Sequence, residues 1–137
     1  MPITSARPTL ARAGLWAGIA VVSLLLLVVL LAAASEPRRV AALTVTNPSP
    51  YQVNVEVSAA GDGRWLDLGA VDRERDRTIE ELFDFGASWV FRFASGGVDG
   101  GRLEVARTAL HDAGWKITVP PDVAERFEAA GLRPSAG

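Results

Sequence analysis

From Ala13 to Ser35 the chain carries no charged residue and no proline, and its centre, Ile19 to Leu31, reads IAVVSLLLLVVLL. As a helix rising about 1.5 Å per residue, this run is roughly 30–35 Å long, the thickness of a bilayer's hydrocarbon core. No other stretch constrains the fold as much. It predicts a transmembrane helix, and it leaves about a hundred residues for one compact domain.

The ends of the run set the expected topology. Residues 1–12 carry Arg7, Arg12 and the terminal amine, three basic groups, while Glu36 and two basic residues, Arg38 and Arg39, follow the run. The basic count slightly favours an N-terminus on the cytoplasmic side. A short basic tail, one apolar run and a folded domain form the pattern of a signal anchor. Ala32-Ala33-Ala34 before Ser35 also has the small-residue spacing of a cleavage site. Cleavage after Ala34 would release a secreted module, but the run is longer than the 7–15 residues usual for a signal-peptide core. Pro2 and Pro8 argue against helix in residues 1–12, and Pro37 is expected to end the membrane helix.

Composition removes several function classes. The chain has 137 residues, a formal net charge of −2 and no cysteine. A disulfide framework, a thiolate metal site, a cysteine nucleophile and a cysteine-linked lipid anchor are therefore excluded. All the acids lie after residue 35, so the soluble part is mildly acidic, which argues against nucleic acid as a partner.

After Pro37 the hydrophobic period changes to two. Val40–Thr46 reads as a first strand, closed by Asn47-Pro48-Ser49-Pro50. Tyr51–Val57 alternates most clearly, with Tyr51, Val53, Val55 and Val57 on one face. Trp65–Val71, Thr78–Phe85, Trp89–Phe93, Arg102–Arg107 and Trp115–Val119 follow as strands. The fourth is ambiguous, because Glu80, Glu81 and Leu82 also suit a helix. Gly96–Gly101 reads as a hairpin turn and Thr108–Gly114 as a crossing loop. Asp122–Ala130 fits a short helix with Val123 and Phe127 four apart and Gly131 as its stop.

Seven short strands at about ten-residue spacing indicate an all-β fold, a small immunoglobulin-like β-sandwich. The strand tryptophans Trp65, Trp89 and Trp115 are expected in its core, replacing a disulfide as the staple. The expected organisation is a cytoplasmic tail over 1–12, a signal-anchor transmembrane helix over 13–35 and a linker over 36–39. An extracytoplasmic β-sandwich with a C-terminal helix then covers 40–131, and a tail 132–137.

The runs DFGASWVFRF (Asp84–Phe93) and GWKITVP (Gly114–Pro120) resemble those of small uncharacterised single-pass membrane proteins of actinobacteria. The resemblance covers most of the soluble part. It implies an anchored, outward-facing β-sandwich, and it supplies no activity, cofactor or catalytic residue.

Candidate functional residues are few. Arg38 and Arg39 would meet anionic lipid at the bilayer surface; the plainer reading is topology marking. Gly14 and Gly18 have the G-x-x-x-G spacing that lets two membrane helices pack closely as a weak homodimer. Asp72, Arg73, Glu74, Arg75, Asp76 and Arg77 form an alternating charge run. Read functionally it is a docking edge or, through Asp72, Glu74 and Asp76, a calcium site. Its arginines and the missing glycine-shaped loop favour a solvated loop whose charges pair among themselves. His111 beside Asp112 lacks a nucleophile and reads as a solvated loop histidine. Gly96–Gly101 lacks the lysine and hydroxyl residue of a phosphate loop.

Together these features predict a non-enzymatic, membrane-anchored interaction domain on the outer face of a bacterial cytoplasmic membrane, an accessory or assembly part of an envelope complex. Its partners would be the lipid bilayer and a membrane protein, with no cofactor or metal. A secreted ligand- or sugar-binding module is the alternative.

Overall fold

The computed structural model describes residues 9–34 and 38–136, the side chains of 9–13, 33 and 34 excepted. They divide into two units, one ending at Pro37 and one beginning at Arg38.

The first unit is a single helix, α1 (Thr9–Ala34). Its Gly14–Ala32 segment has a mean hydropathy of 2.8, long and apolar enough to cross a membrane. The helix starts four residues before the expected boundary, so Thr9–Arg12 are helical. A proline just ahead does not oppose this, because the first turn of a helix needs no N–H donors. Ser35, Glu36 and Pro37 lie outside the described residues, as do residues 1–8 and Gly137. Of the expected linker, Arg39 already belongs to the first strand.

The second unit is a sandwich of seven strands. They are β1 (Arg39–Asn47), β2 (Val53–Ala59), β3 (Leu66–Val71), β4 (Arg75–Phe83), β5 (Ser88–Ser95), β6 (Val98–Ala106) and β7 (Lys116–Thr118). One sheet has the order β4-β1-β7 and the other β3-β2-β5-β6. All pairings are antiparallel except β1 with β7. The four-and-three division is that of a constant-type immunoglobulin sandwich, but the strands are dealt differently: here the first strand is the centre of the smaller sheet.

The core lies between the sheets. Val53, Val55 and Val57 from β2, Trp89, Phe91 and Phe93 from β5, and Leu43 and Val45 from β1 are all fully enclosed. The period-two reading of these strands therefore holds. In β4 it holds with a break. Ala42 faces Glu80 and Val40 faces Leu82, while Ala41 and Glu81 are not among the facing pairs. Glu81 sits at φ 55 there. The kink shifts the inward phase, so Val40 and Leu82 are both buried. This shift is why the segment's pattern looked part helical.

Two further expectations are corrected. The glycine-rich turn is only Gly96-Gly97, and Val98–Gly101 are already in β6. Gly100 lies there because a Cβ would come within 2.7 Å of Val123 and 2.9 Å of Phe127. The crossing segment folds as a helix, α2 (Arg107–Asp112), so His111 is helical. It ends with Gly114 and Trp115 both left-handed, at φ 69 and 58; the Trp115 N–H bonds back to the Leu110 carbonyl at 2.8 Å. The expected tail is docked through Leu132, which packs on the core, and through the Ser135 N–H, which donates to the Pro50 carbonyl at 3.1 Å.

The last helix, α3 (Pro121–Ala129), forms as expected. Proline stands in its first turn, Asp122 is its early acid, and Gly131 at φ 80 follows its end. Val123 and Phe127 point inward, and the Phe127 ring meets Tyr51 edge-on at 5.4 Å.

Candidate functional site

The outer face of the larger sheet carries the densest surface chemistry. Strand register determines it. Glu56 lies opposite Asp67 on one side and Arg92 on the other, and Arg92 lies opposite Arg102. One row across β3-β2-β5-β6 therefore reads Asp67, Glu56, Arg92, Arg102. Arg92 Nε donates a hydrogen bond to Glu56 Oε2, which raises the guanidinium's pKa further. Asp67 Oδ1 accepts from the Gly69 N–H at 2.7 Å. Among the described residues no carboxylate pairs with Arg102 within 4.0 Å.

Trp65 lies on this row. The Arg92 guanidinium is 4.2 Å from its ring centre and that of Arg102 is 5.2 Å away. Trp65 precedes β3 and is half-buried, not a core residue. The expectation of three core tryptophans fails here because its ring finds two cations on the outer face of the sheet, an arrangement attractive in itself. Trp115 is also only partly buried, at 5.6 Å from Trp89. Trp89 alone is enclosed; its Nε1 donates to the Gly86 carbonyl at 3.2 Å. Two hollows of about 300 Å³ each flank the row and share Arg102 as a wall.

The charge run Asp72–Arg77 behaves otherwise. Asp72, Arg73 and Glu74 form the turn between the sheets, and Arg75, Asp76 and Arg77 open edge strand β4. No two of the six pair with each other within 4.0 Å, contrary to the self-paired loop expected. Asp72 accepts from Gln52 Nε2 at 2.8 Å, Arg73 donates to the Ser135 carbonyl at 3.0 Å, and Arg77 donates to the Ala70 carbonyl at 3.0 Å. Glu74, at φ 53, bonds through its N–H to the Ser49 carbonyl. Gln52, Asp72–Arg75 and the 135–136 tail line a polar groove of about 670 Å³. Asp72, Glu74 and Asp76 do not converge, and no cluster of three metal-ligating side chains occurs among the described residues. Beneath this turn lies Asn47, fully buried. Its amide donates to the carbonyls of Tyr51 and Val71 at 2.7 and 3.0 Å, and its oxygen accepts from Ser49 Oγ at 2.7 Å. Turn chemistry in the sequence located this residue, but not its role as a staple between β1 and the end of β3.

At the other end of the sandwich, Arg38 and Arg39 are exposed. Arg39 lies 5.6 Å from the ring centre of Phe83, itself 49% exposed. The Arg38 carbonyl accepts from the Asp84 N–H at 2.7 Å. Among the described residues Asp84 makes the most buried ion pair, its side chain 7% exposed and 2.7 Å from Arg107 Nε. Burial pushes its pKa up, but the Gly86 N–H, the Arg107 guanidinium and the charge of Arg38 outweigh it and hold the carboxyl below its ordinary value. His111 Nδ1 stands 3.6 Å from Asp112 Oδ1 with both side chains largely exposed, a poor setting for a catalytic base. Gly14 and Gly18 share one side of α1 with Ile19 and Val22, and a Cβ at either would touch nothing within 4 Å.

No family model, curated protein or solved structure matches the chain.

Proposed function

We infer that the protein is a non-enzymatic interaction domain tethered to a bacterial cytoplasmic membrane, its sandwich on the outer side, serving as an accessory or assembly component of an envelope complex. One observation carries this reading: an apolar helix ending at Ala34 is followed at Arg39 by the first strand of a compact sandwich. A chain built this way keeps its domain beside the bilayer, because four or five extended residues reach at most about 18 Å. The basic pair Arg38 and Arg39 faces lipid headgroups in this reading, where each gains about 1 kcal/mol from anionic lipid. Partners are then other membrane proteins or molecules close to the surface. The immunoglobulin-like label rests on the number and spacing of the strands, and an actinobacterial origin on the sequence resemblance.

A reporter active only outside the cytoplasm, fused after Gly137, tests the orientation. It is expected to be active, and the protein is expected to stay with membranes through carbonate washing. Activity from a cytoplasmic reporter at the same position overturns the topology.

The alternative, a secreted module freed after Ala34, draws on the Ala32-Ala33-Ala34 spacing. Intact mass of the mature protein separates the two, since cleavage removes α1.

A further inference from the structure

The charge row on the larger sheet has an order that a single copy of the chain does not satisfy. Like charges directly opposite on neighbouring strands are destabilising, and opposite charges are favourable. An alternating row would neutralise itself. This one instead places Asp67 beside Glu56 and Arg92 beside Arg102, so both acids lie on the β3 side and both bases on the β6 side. Within the row only Glu56 and Arg92 form an ion pair; Asp99, off the row in β6, adds a longer-range attraction to Arg92. At the two ends Asp67 and Arg102 are exposed.

We propose that this face docks a second copy of the same chain, the two Asp67–Glu56–Arg92–Arg102 rows stacked in opposite order. A two-fold axis parallel to the strands, running between β2 and β5, reverses the row. It sets Asp67 of each copy against Arg102 of the other and Glu56 against Arg92. The ends of the row are three strand spacings apart, about 14 Å, so the two outer pairs are well separated. Trp65, lying on the basic half, is carried toward the acidic half of the opposite face. It supplies an aromatic anchor of the kind found at the centre of protein interfaces. A two-fold axis perpendicular to the strands but still in the plane of the interface sets Asp67 against Asp67 and Arg102 against Arg102, which repels. Charge therefore selects one of the two isologous arrangements.

The selected arrangement has a second property. Rotation about the strand direction leaves that direction unchanged, so both copies of Arg38 lie at the same end of the pair. Two chains anchored in one membrane require this. The anchor adds to the effect by confining both copies to one surface and raising their effective concentration. This last point rests on the anchored reading above; the charge pairing itself does not.

The test uses the full chain in detergent micelles and in vesicles, labelled at the C-terminus for energy transfer between copies. Self-association of the unsubstituted chain is expected to weaken with added salt. D67R and R102E are each expected to weaken it about tenfold, because each replaces two attractions with two repulsions. A mixture of the two variants is expected to recover association. In a mixed pair the introduced arginine of one copy meets the introduced glutamate of the other, while the native Asp67–Arg102 pair remains at the opposite end. A thermal melt of each variant checks that it is folded, and the recovered mixture is independent proof of that. Three results overturn the proposal: a monomeric parent chain, association unchanged by either reversal (as for pairing through Gly14 and Gly18 alone), or a mixture no better than the single variants. None of these outcomes depends on which side of the membrane the domain occupies, so failure here is distinct from failure of the topology test.

Discussion

Trp65 and Trp89 have the same side chain and opposite environments. Trp89 is fully enclosed, with Phe85 edge-on at 5.0 Å and Trp115 at 5.6 Å. W89A is expected to cost about 3–5 kcal/mol, close to the whole stability of a domain this size. W65A, outside the core, is expected to cost about 1 kcal/mol or less. Denaturant melts of the full chain check both, and equal losses refute the assignment. Asp84 gives a second contrast. Its lowered pKa means that the unfolded chain takes up the proton first as pH falls. The stabilisation is thus present above the ordinary carboxylate range and disappears as pH drops through the lower folded-state value. D84N is expected to lose about 1–2 kcal/mol near pH 7, a figure kept low because Arg107 is partly exposed. Its stability should also fall less steeply in acid than that of the parent. Parallel pH profiles of the two proteins would show that Asp84 carries no acid-linked stability.

At the scale of elements, the sequence was legible wherever one face of a strand is buried. The alternation of Val53, Val55 and Val57 and of Trp89, Phe91 and Phe93 fixed β2 and β5, and proline with glycine bracketed α3. It was not legible where tertiary contacts outweigh local signals. Gly100 and Gly101 suggest a turn, yet they serve a strand over which α3 packs. G100A tests this: the added methyl meets Val123 and Phe127, both core side chains, and is expected to cost about 1–3 kcal/mol. Hydrogen exchange should show the loss first in α3, and an unchanged melt would mean that α3 does not press on β6. The charge row was hidden for a different reason. Residues 56, 67, 92 and 102 belong to four strands, and only register brings them into line. Trp65 was misread because alternation places a residue on a face only inside a strand, and it stands one residue before β3.

On the scale of the whole molecule, the short connection is the feature most open to experiment. A flexible Gly/Ser insertion of about twenty residues after Pro37 adds roughly 25 Å of reach. The melting temperature of the sandwich is expected to stay as it is, because the insertion precedes β1. Recovery of cross-linked membrane partners should fall. Equal recovery with the longer connection would show that closeness to the bilayer is not what the connection provides.

The parallel pairing of β1 with β7 bears on how the chain is made. A ribosome delivers β1 first and β7 near the end, so the centre of the smaller sheet waits for almost the whole domain before its second edge is covered. Until Lys116–Thr118 arrive, the backbone donors and acceptors on that edge of β1 remain open to any passing strand. Premature release anywhere between β4 and β7 would therefore leave a fragment whose best remaining option is to pair with its neighbours. Quality control of this protein should depend on β7 more than its three residues and modest share of the core suggest.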